Sequence, residues 1–354
     1  MTAARLDHDT ATQPARRQPV RWRLHVGDAL EVMAGMADES VDSIVTSPPY
    51  WGLRDYGVPG QYGQESSVRD YVNRLRGVFT QARRVLARDG TLWLNLGDVY
   101  GGSWHNYVAP GSTATTAADP RRRSRGTHLP PQAAERYKNL LGLPWQVAFA
   151  LVDDGWTLRN AIVWHKPNAM PESVRDRLSC RYEMLFLLVR SRRYWFDLDP
   201  IREPVALREG TILGGPSKSR RGAPAEARRY GQHQFAKYDN CEAFGDHEHG
   251  SAMKPTGERH SASHPHGRNP GDVWSIPTRP YRGAHFAVSP IDIPLRCIAA
   301  GCRPDGTVLD PFSGAGTTGV AALSLGRSFI GIDVNPEFHE LARSRFAPVA
   351  GDDR

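Results

Sequence analysis

Val308-Leu309-Asp310-Pro311-Phe312-Ser313-Gly314-Ala315-Gly316-Thr317-Thr318 is the stretch on which the fold turns. An apolar run ends in an acid, a glycine-bearing corner follows, and 317–325 then reads as a helix. Glycine lacks a Cβ and tolerates unusual dihedrals, so the backbone of such a corner can approach a ligand closely. The N–H groups at the helix start suit a carboxylate as well as a phosphate. A second strand over 328–332 ends in Asp333, and in doubly wound folds an acid at that place accepts hydrogen bonds from ribose hydroxyls.

The corner reads Gly-x-Gly-Thr-Thr, a spacing distinct from the dinucleotide fingerprint with its third glycine. Turn and acid together point to a nucleoside-bearing ligand that needs no pyrophosphate. S-adenosylmethionine fits, with ribose hydroxyls for Asp333 and a methionine carboxylate for the corner at 314–318.

Outward from this corner, helices are expected over 291–301 and 336–346, with a strand at 307–309. Toward the N-terminus, Trp22–Val26 alternates as a strand and Val41 opens another over 41–45. A helical period covers 68–87, and Asp89-Gly90 reads as a turn into a strand at 91–96. Leu143–Asp153 is a helix with Pro144 in its first turn and Gly155 past its end. Apolar runs at 156–164 and 184–189 read as strands. Strands alternating with helices predict an α/β fold, a mostly parallel doubly wound sheet interrupted by irregular insertions.

The strand at 41–45 runs into Ser47-Pro48-Pro49-Tyr50. In an open α/β sheet, ligands sit at the carboxyl ends of strands. Two prolines stiffen this loop and remove two N–H donors, leaving carbonyls as acceptors. An exocyclic amine has a lone pair delocalised into its ring. Acceptors that hold its two hydrogens let the nitrogen approach tetrahedral geometry and attack a methyl group. The Ser47 hydroxyl and Pro48 carbonyl are candidates for those acceptors, and the Tyr50 face for stacking on the base. With a sulfonium leaving group, positioning supplies most of the catalysis and no strong general base is demanded.

Bulk properties bound this picture. The 354 residues suffice for one large or two ordinary domains, and the net charge of +7 is compatible with a polyanionic partner. Cys180, Cys241, Cys297 and Cys302 lack close CxxC pairing, which fits a reducing compartment. The polar first residues show no signal peptide and no apolar run reaches membrane-spanning length, so a cytoplasmic protein without membrane association is expected. Cys241, His247, His249, His260, His264 and His266 match no ordinary zinc spacing, and no metal is expected.

These segments together resemble the DNA amino-methyltransferases, the family that makes N4-methylcytosine and N6-methyladenine. Asp310 through Thr318, with Phe312, Gly314, Gly316 and Thr317 inside it, is similar to cofactor motif I, and Asp333 to the motif II acid. Ser47-Pro48-Pro49-Tyr50 resembles catalytic motif IV in the form typical of cytosine N4 enzymes; adenine enzymes more often carry Asp at the Ser47 position. Gly27-Asp28 resembles motif III, whose acid contacts the cofactor's adenine amino group. His285-Phe286-Ala287 and Pro290 resemble motif X, beside the methionine end. The segments 90–98 and Trp164-His165-Lys166-Pro167 fall where the family has central strands and base-pocket motifs. The catalytic motif precedes the cofactor motif, as in the beta class and opposite to most RNA and protein-glutamine methyltransferases.

The resemblance implies a Rossmann-like S-adenosylmethionine-dependent enzyme that methylates cytosine N4 in double-stranded DNA and leaves S-adenosylhomocysteine. It places the strands near Trp22 and Val41 beside the one ending at Asp310. The target base is flipped out, with Tyr50 and Trp51 replacing part of its lost stacking. The organisation is a tail at 1–21, a catalytic half at 22–200 with a basic insertion at 101–138, a target-recognition region at 203–272, a cofactor half at 273–346 and a tail at 347–354. Arg220, Arg221, Arg228, Arg229, Lys237 and Arg268 are candidates for phosphates or guanine edges. Arg121, Arg122, Arg123 and Arg125 are candidates for phosphates. A homodimer and a cognate restriction endonuclease are compatible partners. An adenine N6 enzyme, a catalytically silent DNA-binding module and an RNA methyltransferase remain as alternatives.

Overall fold

The glycine corner lies at the middle of one sheet. The computed structural model describes residues 21–53, 58, 60–101, 136–204, 266–279 and 289–350. The chain divides into two compact units, Met1–Ile201 with Pro270–Arg354, and Arg202–Asn269. In chain order the first unit contains β1 (Trp22–Val26), α1 (Ala29–Ala34), β2 (Val41–Thr46), α2 (Val68–Val85), β3 (Leu86–Leu96), α3 (Leu143–Asp153), β4 (Thr157–His165) and β5 (Tyr182–Val189). After the second unit come β6 (Val273–Ser275), α4 (Asp292–Gly301), β7 (Thr307–Asp310), α5 (Thr317–Ser324), β8 (Ser328–Asp333) and α6 (Pro336–Ala350).

The sheet order is β1-β8-β7-β2-β3-β5-β4-β6. All neighbours pair in parallel except the two ladders made by β5, so β5 alone runs against the other seven described strands. Side chains alternate between two cores, as the strand period of two requires. Leu92, Leu94, Met184, Phe186 and Leu309 face one way, and meet Met33 of α1, Phe79 of α2 and Leu151 of α3. Trp93, Leu185, Leu187 and Val308 face the other, with Ile298 of α4, Ala321 of α5 and Phe346 of α6. The predicted doubly wound α/β architecture is the one observed.

Some expectations need correction. β1 lies beside β8, one strand removed from β7, so of the two N-terminal strands β2 but not β1 touches the strand ending at Asp310. Asp89-Gly90 is not a turn between elements. β3 starts at Leu86, and the register jumps from Val41 opposite Leu86 to Ser43 opposite Thr91, so the extra residues bulge. A Cβ on Gly90 would sit 2.7 Å from the Asp42 carbonyl, which explains glycine there. The helix α1 and strand β6 were not anticipated, being six and three residues long. Among the described residues no helix is long and apolar enough to cross a membrane.

Candidate active site

β2 and β7 are neighbours whose connections leave in opposite directions. β2 continues through α2 to β3 on one side, and β7 through α5 to β8 on the other. That divergence is a topological switch point, where the loops at the strand ends part and leave a crevice. Ser47–Tyr50 follows β2 and 311–316 follows β7. Both loops line one cavity of about 760 Å³.

The two strand ends are tied together. The Thr46 hydroxyl donates to one oxygen of Asp310 at 2.7 Å, and the Thr318 hydroxyl donates to the other at 2.7 Å. The Phe312 amide adds a third donor at 3.1 Å. Burial pushes the Asp310 carboxyl up to about 6, although these three donors favour its charged form.

The corner itself is built on glycines. Gly314 and Gly316 adopt φ of +49° and +75°, open to glycine and costly for other residues. Arg345 of α6 grips its outer side, donating to the Ala315 carbonyl at 2.6 Å and the Thr317 hydroxyl at 3.1 Å. The Gly-x-Gly-Thr-Thr reading stops one residue short. Gly319 stands where the third glycine of the dinucleotide fingerprint falls, and a Cβ there would collide with the Phe346 ring. That glycine serves close helix packing, the usual role of the third position.

Asp333 ends β8 opposite the corner. Its carboxylate accepts the Gly314 amide at 2.8 Å and the Asn335 amide at 2.8 Å. Burial shifts it upward from the usual carboxylate range. The Val334 amide is a further donor, and a carboxylate has about four acceptor positions, so some acceptor capacity remains. Val334, Phe312 and Phe338 give that end of the cavity apolar walls. An acid with spare acceptors, apolar walls and a glycine cradle with a helix start together fit a nucleoside carrying an amino-acid tail.

Asp28 has a different placement. It caps α1, accepting the Leu30 amide at 2.8 Å, and also accepts the Tyr62 hydroxyl at 3.2 Å. Its neighbours Gly27 and Ala29 line the cavity, while Asp28 is not part of the wall.

In the catalytic loop, the two proline carbonyls are not equivalent. Tyr71 donates its hydroxyl to the Pro49 carbonyl at 3.0 Å. No donor among the described residues reaches the Pro48 carbonyl. Ser47 donates to the Tyr50 hydroxyl at 3.2 Å, and that hydroxyl lies 2.6 Å from Glu183 Oε2 and 3.2 Å from Asn95 Oδ1. Lys166 bonds the other Glu183 oxygen. Burial and the Glu183 charge push the Tyr50 hydroxyl well above its ordinary range. Gly97 makes room for the ring: a Cβ there would lie 2.6 Å from Tyr50 Cε2.

Trp51 does not stand ready to stack on a base, contrary to expectation. It is 1% exposed, sits in the core beside α2, and its indole N–H donates to the Glu65 carbonyl at 2.9 Å. No ring face is left for a base. Its position next to the motif is what invited the stacking assignment, and burial removes it.

Known proteins are similar to this chain. The profile of the N6/N4 DNA methylases, described as DNA methylase, matches residues 41–344. The chain belongs to the N6/N4 DNA methylase family. Among curated relatives of this methylase, Type II methyltransferase M.Cfr9I of Citrobacter freundii is 38% identical over 91% of this chain and 86% of its own. Type II methyltransferase M.SmaI of Serratia marcescens is 38% identical over 91% and 90%. Among solved structures, the PvuII DNA methyltransferase (cytosine-N4-specific) superposes with a TM-score of 0.58 at 15% identity, covering 94% of this chain and 88% of that one. A putative DNA modification methylase of Thermus thermophilus, complexed with S-adenosyl-L-methionine, gives 0.51 at 23% identity, over 93% and 95%. These two share the fold. As a family member this methylase uses S-adenosylmethionine and acts on DNA.

The structure brings Ser47, Pro48, Pro49, Tyr50, Asp310, Phe312, Gly314, Thr317, Thr318 and Asp333 to one cavity. His285 and Phe286 lie outside the described residues, as do Arg121, Arg122, Arg123, Arg125, Arg220, Arg221, Arg228, Arg229, Lys237 and Cys241. Arg268 is described within the second unit, paired with Glu203 at 3.0 Å. Among the described residues, no three metal-ligating side chains are clustered. Glu183 and Asn95 were not anticipated. Each sits singly in an apolar strand, and only the folded structure brings both to the Tyr50 hydroxyl.

Proposed function

We propose that this methylase is a type II modification enzyme that transfers a methyl group to the exocyclic N4 of a flipped-out cytosine in double-stranded DNA. The observation that carries the reading is the Ser47–Tyr50 loop. It offers the Ser47 oxygen and an unoccupied Pro48 carbonyl to the cavity that holds the cofactor corner. Two acceptors match the two hydrogens of an exocyclic amine. Serine at position 47, rather than aspartate, supports cytosine over adenine. The PvuII enzyme of like fold is cytosine-N4-specific, and the type II relatives agree with a modification role.

S-adenosylmethionine supplies an electrophilic methyl on a good leaving group. Around it, Asp333 would take the ribose hydroxyls with its remaining acceptor capacity, and the Gly314–Thr318 backbone would hold the methionine carboxylate. Phe312 and Phe338 would hold the purine between apolar walls. Asp28 reaches its amino group only if it exchanges a contact with Tyr62, and His285 and Phe286 border the methionine end. On the substrate side, the Tyr50 ring stacks on the base, pinned through its hydroxyl. Holding amine and methyl in line is the main catalytic contribution.

Recognition of the DNA sequence is assigned to 203–272. Arg220, Arg221, Arg228, Arg229, Lys237 and Arg268 would contact bases or phosphates, and the run Arg121 to Arg125 phosphates. A cognate restriction endonuclease is the expected functional partner, and a homodimer the expected assembly. The test is nucleoside mass spectrometry of unmethylated genomic DNA incubated with the protein and methyl-labelled S-adenosylmethionine. Labelled N4-methylcytosine is expected. Labelled N6-methyladenine would overturn the inference from Ser47 while leaving the cavity's chemistry in place.

A further inference from the structure

Transfer of a methyl group to an exocyclic amine leaves a proton to be removed. The amine nitrogen forms a bond to the methyl carbon as the carbon–sulfur bond breaks and its electron pair goes to sulfur. As that bond forms the nitrogen turns cationic and its N–H acidic, so the proton leaves in the same step that forms the carbon–nitrogen bond. A ring-conjugated amine alkylated in this way is a strong acid, so a carboxylate is basic enough to take the proton.

The cavity contains such a carboxylate at the end of an unbroken hydrogen-bond chain. Ser47 Oγ donates to Tyr50 Oη at 3.2 Å, and Tyr50 Oη lies 2.6 Å from Glu183 Oε2. Lys166 holds the other oxygen of Glu183. The three residues of the chain come from the β2 loop and from β5, and all line the same cavity. Because the Ser47 hydrogen points to Tyr50, the Ser47 lone pairs are left for the amine. Because the Tyr50 hydrogen has a carboxylate to go to, the chain has a terminus.

We propose that Glu183 is the terminal acceptor of the amine proton, delivered through Ser47 and Tyr50. This rests on the assignment of Ser47 as an amine acceptor made above. The N–H proton passes to Ser47 Oγ, the Ser47 proton to Tyr50 Oη and the Tyr50 proton to Glu183 Oε2. The methylated amine, serine and tyrosine end neutral, and Glu183 ends as a neutral acid beside Lys166. When product leaves, the proton returns to solvent.

Two features of the surroundings support conduction. Burial and the neighbouring negative charge keep the Tyr50 hydroxyl protonated, so it passes a proton on and does not itself act as a sink. The titratable groups facing the chain are Lys166 and Glu183 themselves, with Tyr71 beside Tyr50. Asn95 shares the Tyr50 hydroxyl at 3.2 Å but is anchored to the Met184 carbonyl and takes up no proton. Glu183 acts through Tyr50 and is a positioning and proton-accepting residue; it makes no claimed contact with the base.

The experiment compares Glu183→Gln with wild type by single-turnover transfer of labelled methyl to DNA, counting label in any base. It is run from about pH 7 to pH 9, where Asp310, at about 6, is already ionised. Glutamine preserves the hydrogen bond to Tyr50 and cannot take the proton. The expected result is a loss on the order of 100-fold at neutral pH. The residual rate should climb by about tenfold per pH unit as hydroxide takes over, while the wild-type rate stays flat. Affinities for S-adenosylmethionine and for DNA, measured by calorimetry, should be unchanged. A variant as fast as wild type, or a slower one with the same flat profile, overturns the proposal. Should Glu183→Gln fail to fold, Tyr50→Phe interrupts the same chain, and a flat profile there counts equally against it. Label appearing in adenine would revise the target base and leave the fate of the proton to be decided by the same comparison.

Discussion

Thr46 donates its hydroxyl to Asp310 at 2.7 Å across 264 positions of sequence. The two residues end adjacent parallel strands, so this bond ties the start of the catalytic loop to the start of the cofactor corner. It also keeps a fully buried carboxylate in the middle of the protein, held against its preference for water.

That carboxylate makes stability depend on pH. The Asp310 carboxyl is raised from 3.8 to about 6 by burial. A raised folded-state value means its contribution is fully present below about pH 4 and is lost as pH rises through about 6. At neutral pH the loss is on the order of 2–3 kcal/mol. Asp310→Asn should therefore flatten the fall in urea-unfolding free energy between those pH values and weaken S-adenosylmethionine binding. An unchanged slope in the variant would remove Asp310 as its source.

Ser47 and Asp333 should separate turnover from cofactor affinity. Ser47→Ala is expected to cut turnover by about 100-fold or more while the S-adenosylmethionine dissociation constant holds. Asp333→Ala should raise that constant by about tenfold or more, since charge-assisted hydrogen bonds are lost. Calorimetry with each purified variant checks both; a binding defect in Ser47→Ala alone would contradict the division.

Gly97 should tolerate no side chain. An added Cβ would come within 2.6 Å of the Tyr50 ring, which is anchored on its far end by Glu183. Gly97→Ala should displace the ring and lower kcat by at least about tenfold, with cofactor affinity retained. Gly319→Ala makes the opposite trade, striking the Phe346 ring away from the loop, and should cost about 1–3 kcal/mol of stability. Thermal unfolding and steady-state kinetics on both variants test the contrast.

Thiol reactivity should follow burial. Cys297 and Cys302 are buried, and burial raises both thiols, Cys302 to about 12, whereas Cys180 is exposed. Of these three, Cys180 should be the one modified by a thiol reagent in the native protein. Peptide mass spectrometry after brief labelling reads this directly, and modification of Cys297 without denaturant would contradict the packing of α4.

Much of the site was legible because its signals are local. A strand ending in an acid, a glycine corner and a helix start are contiguous from 308 to 318, and Ser-Pro-Pro-Tyr is four residues long. What escaped depends on contacts between distant segments. The run 184–189 is apolar throughout, which says that β5 is covered on both faces and nothing about its direction. Its reversal comes from antiparallel pairing with β3 and β4. Glu183 looked like the edge of an apolar run until the fold brought it to Tyr50, 133 positions away. Trp51 was misassigned for the same reason: the Glu65 carbonyl that claims its indole lies across the following loop. Gly319 is the exception, a local signal at fingerprint spacing that a Gly-x-Gly-Thr-Thr reading stops short of.

The pairing of β1 with β8 has a consequence for how the enzyme comes into being. Among the described strands β1 is made before all the others and pairs with β8, made after them, and the strand that precedes the catalytic loop borders β7, also late in that order. Contacts of such long sequence separation form late and slowly. A nascent chain that has completed β5 would already carry Ser47 and Tyr50, but with no cofactor corner beside them. Methylating capacity should therefore switch on only once β7 and β8 have been made, and a copy terminated before them would be inert toward the genome.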